Sequence, residues 1–185
     1  PHSFTDFLAC ADALVDQGWA AADRVAAEGG SAGGLLVAAA ATQAPARFRA
    51  VLAQVPFVDV LTTMLDPSLP LTITEQQEWG DPIADPAAYD LIASYSPYET
   101  VPVGDFPALL ITTSANDTRV FVTEPAKWMA RLRDRVTDDP VCRPLLMRTQ
   151  LTSGHGGRSG RYQAWREIAW EWAVLLDLLG AADQG

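Results

Sequence analysis

A strand, a sharp turn and a helix are compressed into fewer than twenty residues near the start of this chain. That compression limits the fold more than anything else in the sequence. Arg24 to Glu28 reads as a short strand, Ala32 to Thr42 as a small, alanine-rich helix stopped before Pro45, and Gly29-Gly30-Ser31-Ala32-Gly33-Gly34 joins them. A turn that lifts a serine between strand and helix strains its backbone, so small residues are needed on both sides. Further apolar runs at Ala50 to Val55, Ala108 to Thr113 and Leu145 to Thr149 read as strands. Helices are expected over Thr123 to Val136 and Tyr162 to Leu179. A first helix is expected from a capping box at Ser3-Phe4-Thr5-Asp6 to Gly18. Strands alternating with helices give an α/β fold with a mostly parallel, doubly wound sheet. Phe57 to Pro107, with one short helix near Ala87 to Tyr95, reads as an excursion over the edge where such sheets build their sites.

The chemistry-bearing residues follow that frame. Ser31 sits in the G-x-S-x-G turn, where its hydroxyl would be exposed at a helix N-terminus and the Ala32 amide could donate to a developing oxyanion. Asp117 lies just past the strand Ala108 to Thr113, and His155 lies between glycines just past the last strand. The order Ser, Asp, His is that of α/β-hydrolases. His155 would act as general base and acid, and Asp117 would fix its tautomer. Asp105, the rival to Asp117, precedes its strand rather than following it, and His2 is too close to the terminus to offer a rival site.

Composition narrows the partners. With 23 acids against 13 bases the net charge is −10, which disfavours nucleic acid and anionic membrane surfaces and favours a cationic substrate. Between Arg49 and Arg119 there is no basic residue but there are ten acidic ones, most of them expected to be solvated surface. Cys10 and Cys142 lack C-x-x-C spacing and read as reduced, buried cysteines of a cytoplasmic protein. The sequence contains neither a membrane-spanning apolar stretch nor a signal-peptide pattern.

Six dispersed runs resemble the prolyl oligopeptidase family of serine peptidases, and within it the oligopeptidase B branch, over nearly the whole length. They are Glu28 to Leu36, Thr62 to Asp66, Glu78-Trp79-Gly80, Ser94 to Tyr98, Glu124 to Trp128 and Gly154 to Gly157. The resemblance implies a serine oligopeptidase that cleaves short peptides after Arg or Lys through an acyl-enzyme. Its triad would be Ser31, Asp117 and His155, with no metal or organic cofactor. It also implies that Glu75 pairs with the basic P1 side chain and that Arg119 contacts the substrate backbone near P2; where this branch often has a second acid this chain has Gln77, a departure expected to weaken the P1 charge preference unless Glu78 compensates.

The family's β-propeller, the first strands of its hydrolase sheet and a tyrosine oxyanion donor would all precede Pro1. Residues 1–185 are therefore expected to be the C-terminal portion of a catalytic domain, partnered by that missing part and exposing the edge of its own first strand. An esterase or acylaminoacyl-type peptidase would be favoured by a Glu75 pointing away from Ser31. A truncated, catalytically silent fragment is the third reading.

Overall fold

A computed structural model describes residues 2–137, 139–157 and 159–181. Its elements are α1 (His2–Asp16), β1 (Ala26–Gly30), α2 (Ala32–Gln43), β2 (Ala50–Gln54), α3 (Val60–Met64), α4 (Thr72–Trp79), α5 (Pro86–Tyr95), β3 (Ala108–Ser114), α6 (Thr123–Arg135), β4 (Leu145–Gln150) and α7 (Arg161–Leu178). The four strands form one parallel sheet in the order β1-β2-β3-β4.

Alternation along the strands separates the two faces of the sheet. Val51, Ala53, Leu109 and Ile111 join Val37, Ala38 and Ala41 of α2 and Trp128 and Leu132 of α6 in one core, with Ala11 of α1 behind them. Gln54, Arg148 and Gln150, of opposite parity, reach α7 instead. Helices on both faces explain why all seven residues of β3 are buried. Alanines fill α2 because a helix pressed against the sheet has little room for larger side chains: Ala38, Ala39, Ala40 and Ala41 are all fully buried.

Four details depart from the sequence reading. β1 starts two residues later than expected and runs through Gly29 and Gly30, which pair with Ala53 and Gln54 instead of leaving the ladder. The segment after Phe57 contains three helices rather than one, α3 and α4 being too short to display a period. Ser3 lies inside α1 and not at its cap. Cys10 and Cys142 are exposed, not buried. Phe4 and Ala11 mark the buried stripe of α1, and Cys10 falls outside it, while Cys142 lies in the turn before β4.

Among the described residues β1 pairs only with β2. The outer face of α7 exposes Tyr162, Trp165 and Trp172. No helix of the described residues is long and apolar enough to cross a membrane.

Candidate active site

Ser31 has φ 56° and ψ −118°, a left-handed conformation that a non-glycine residue adopts only when its surroundings impose it. Those surroundings are specific. The Ser31 amide donates to Gln54 O at 2.9 Å, and Ser31 O accepts from Phe57 N at 3.2 Å and from Leu35 N at 3.1 Å, fixing the turn to the end of β2 and to α2. Only two of the surrounding glycines are sterically required. A Cβ on Gly29 would collide with the Gly33 carbonyl, and one on Gly34 would lie 2.7 Å from Pro56 Cα, whereas Gly33 has open space around it. The elbow therefore places the hydroxyl at the start of α2, where the Ala32 amide also lies.

From that hydroxyl a continuous hydrogen-bonded chain leads inward. His155 Nε2 is 3.1 Å from Ser31 Oγ, and His155 Nδ1 is 2.7 Å from Asp117 Oδ2. Asp117 is buried, and its second oxygen, Oδ1, accepts from the amides of Arg119 at 2.8 Å and Val120 at 3.0 Å. Two backbone donors on one oxygen leave the other aimed at the imidazole. The loops carrying Asp117 and His155 are also tied to each other: Asn116 Nδ2 donates to Leu151 O at 2.8 Å, and Ser114 Oγ donates to Ser153 O. A tight turn at Gly157, φ 77°, with its amide 3.1 Å from Gly154 O, carries His155 at its tip.

The other candidates separate clearly. Asp105 is bound by Arg143 at 2.7 Å, whose guanidinium holds the exposed carboxyl below its ordinary range, so it is not the orienting acid. Glu75, Glu78 and Arg119 line a pocket of about 350 Å³ together with Ser31, Ala32, Phe57, Thr63, Thr72 and Trp79. Glu75 is half-buried, and its Oε2 accepts from the indole N–H of Trp79 at 2.9 Å. Trp79 in turn packs on Phe57, with ring centroids 5.8 Å apart. Gln77 is exposed and does not line the pocket. Among the described residues Arg119 has no ion pair, and no group of three or more His, Cys, Asp or Glu side chains could hold a metal ion.

Beneath this pocket lies a buried polar group that sequence reasoning missed. Glu124, 5 % exposed, accepts from Thr63 Oγ1 at 2.7 Å and from Asp59 N at 3.1 Å. Asp59 is itself buried and paired with Lys127. Glu124 and Lys127 occur in a run that marked the resemblance, but an acid in the first turn of a helix ordinarily reads as an exposed dipole partner. Nothing local in the sequence signals its burial.

Burial pushes the Glu124 carboxyl up to about 7, helped by the negative charge of Asp59 and opposed by its hydrogen bonds. An acid with a raised folded pKa contributes stability that is fully present below its unfolded value, 4.5, and is lost as pH rises through about 7. The expected swing is as much as about 3 kcal/mol. Chemical denaturation of wild type and Glu124→Gln between pH 4 and 8 checks this: the wild type loses stability relative to the variant across that interval, and parallel curves would contradict it.

Comparison with known proteins agrees with this architecture. The profile of the prolyl oligopeptidase family matches residues 1–182. The chain is 48 % identical over 183 residues to dipeptidyl aminopeptidase BI of Pseudoxanthomonas mexicana and 49 % identical over 179 residues to Protease 2 of Moraxella lacunata. It covers 99 % and 97 % of itself in those matches, and 25 % of each relative. It superposes on oligopeptidase B from Leishmania major with a TM-score of 0.91 at 40 % identity. With oligopeptidase B from Trypanosoma brucei carrying covalently bound antipain the TM-score is 0.90 at 44 % identity; in both cases 96 % of this chain and 24 % of the other are covered. The chain thus spans about a quarter of the length of these relatives. Its parallel sheet with flanking helices is of the α/β-hydrolase type, and the chain belongs to the prolyl oligopeptidase family.

Proposed function

We propose that this chain carries the triad of a serine peptidase that cleaves short peptides after Arg or Lys, and that it forms the C-terminal portion of a catalytic domain. The observation that carries the reading is the unbroken contact from Ser31 through His155 to Asp117, opening onto a pocket that also contains Glu75. The share of its relatives that the chain spans supports the second part.

In the proposed reaction Ser31 Oγ attacks the scissile carbonyl carbon while His155 Nε2 takes its proton, and the Ala32 amide donates to the oxyanion. His155 then delivers that proton to the leaving nitrogen as the carbon–nitrogen bond breaks, leaving an acyl ester on Ser31. Water, deprotonated by the same imidazole, attacks the ester; Ser31 Oγ leaves and takes the proton back. Asp117 stays ionised and stabilises the imidazolium in both halves. Glu75, one oxygen held by Trp79, offers the other to a P1 guanidinium or ammonium. Arg119, free of internal ion pairs among the described residues, is available to the substrate backbone, and Glu78 adds negative charge at the rim.

Glu75 and Ser31 line one pocket, which supports the basic-P1 reading over a plain esterase or acylaminoacyl-type peptidase. The similarity to a dipeptidyl aminopeptidase favours one second reading, release of dipeptides from a free N-terminus.

The test uses the full-length gene product with short substrates bearing Arg, Lys, Ala or Pro at P1, each with a free or an acetylated N-terminus. Basic substrates are expected to be preferred, and Glu75→Gln is expected to lower kcat/KM for them about a hundredfold, the loss of a desolvated charge partner. A wild type indifferent to P1 charge would sink the assignment. Turnover confined to free N-termini would establish the dipeptidyl reading. Mass spectrometry after fluorophosphonate treatment should find the adduct on Ser31, and a labelled protein without that adduct would sink the nucleophile assignment.

A further inference from the structure

The pocket's selectivity depends on where α4 sits, and α4 has little of its own to hold it there. It is eight residues long, and Thr72 is its one buried residue. α3, which precedes it, has five residues. Helices this short do not persist without tertiary anchors. At its C-terminal end α4 is held by Trp79 on Phe57. At its N-terminal end the anchor is a relay: Thr72 Oγ1 donates to Thr63 O at 2.9 Å, and the Thr63 hydroxyl donates to Glu124 Oε1 at 2.7 Å. Glu124 Oε2 accepts from Asp59 N, where α3 begins, and Lys127, one helical turn further along α6, pairs with the Asp59 carboxylate.

α6 in turn follows directly on the Asp117 loop, with the Glu124 amide 2.9 Å from Phe121 O. One buried carboxylate therefore joins the segment that carries Asp117 to the segment that carries Glu75. A carboxylate is an expensive residue to bury where packing alone would serve, since an apolar side chain would fill the same space without desolvating charge. Its two acceptor oxygens do what an apolar residue cannot: they fix both ends of α3 at once.

We propose that Glu124 is a positioning residue for substrate selectivity, holding α3 and the start of α4 against α6 so that the Glu75 carboxylate faces the position of the P1 side chain beside Ser31. The inference rests on the proposed preference for basic P1 residues. It assigns Glu124 no contact with substrate.

The test is steady-state kinetics of the full-length gene product with matched P1-Arg and P1-Ala substrates, with fluorophosphonate labelling reporting how much of each preparation has a working elbow. Glu124→Leu is expected to raise KM for the Arg substrate about tenfold, with kcat within about threefold, and to lower the Arg-over-Ala preference by about the same tenfold, the scale of one lost hydrogen bond to a charged group. Glu124→Gln keeps one acceptor for Asp59 N and an amide that can bond the Thr63 hydroxyl, and so is expected to restore most of that preference. Should Glu124→Leu not fold, Thr63→Val tests the same tie with no change in shape, and the preference is again expected to fall. Equal losses on both substrates, or an undiminished Arg preference in the variants that fold, overturns the proposal. A wild type with no Arg preference overturns this inference together with the reading it rests on, and that result is visible before any variant is made.

Discussion

Ser31→Ala is expected to lower kcat by about a million-fold, to the residual rate that binding and oxyanion donors alone sustain. No other hydroxyl can substitute. His155 Nε2 faces Ser31 Oγ, and the remaining imidazole nitrogen is occupied by Asp117. The backbone of the elbow should not change, because the left-handed conformation at position 31 is imposed by bonds from its own main chain to Gln54, Phe57 and Leu35, none of which uses the hydroxyl. Single-turnover assays and labelling on a variant with unaltered thermal stability give the measurement. Turnover within tenfold of wild type would exclude Ser31 as the nucleophile.

Asp117→Asn is expected to reduce kcat by about ten-thousand-fold, again without unfolding the protein. The geometry gives the reason. Arg119 N and Val120 N both donate to Oδ1 of this side chain. An asparagine satisfies them only by placing its carbonyl oxygen there, which turns its NH₂ toward His155 Nδ1. That nitrogen must then accept, so the ring carries its proton on Nε2, facing Ser31 Oγ, and cannot take another from the serine. The substitution alters the tautomer without moving a heavy atom. A ring-proton shift in the imidazole NMR spectrum, appearing together with the loss in kcat, would separate this cause from displacement. A variant retaining more than about a tenth of wild-type kcat would remove Asp117 from the triad.

The sequence reading went furthest where chemistry and local backbone demand the same residues. The four strands were identifiable because buried parallel strands are short apolar runs. The elbow was identifiable because a serine in that conformation needs glycines, although only Gly29 and Gly34 turn out to be sterically required. Gly29 and Gly30 misled at the strand end: glycine reads as a turn, yet both remain in the ladder opposite Ala53 and Gln54.

α3 and α4 were missed for a related reason. α3 is fixed by contacts to α6, some sixty residues away in sequence, and α4 by contacts to Thr63 and Phe57, not by any apolar period of their own. The buried pair Asp59 and Glu124 was equally hidden, since an acid in an acidic segment, like Asp59, and an acid in the first turn of a helix, like Glu124, are ordinarily solvated. What makes these two different is each other's surroundings, which only the folded chain brings together.

One arrangement bears on how such an enzyme could be altered. In the proposed reaction the loop from Asn116 to Val120 serves two masters: its Asp117, bonded to His155 Nδ1, would orient the base, and its Arg119 and Val120 form part of the pocket wall. The stretch from Leu71 to Trp79 belongs to the pocket alone. Within that reading, diversification toward other side chains at the scissile bond would have an open route through α4, where substitutions leave Ser31, His155 and Asp117 untouched. Changes at Arg119 or Val120 would pull on the two amides that aim Asp117, so selectivity gained there would arrive coupled to turnover.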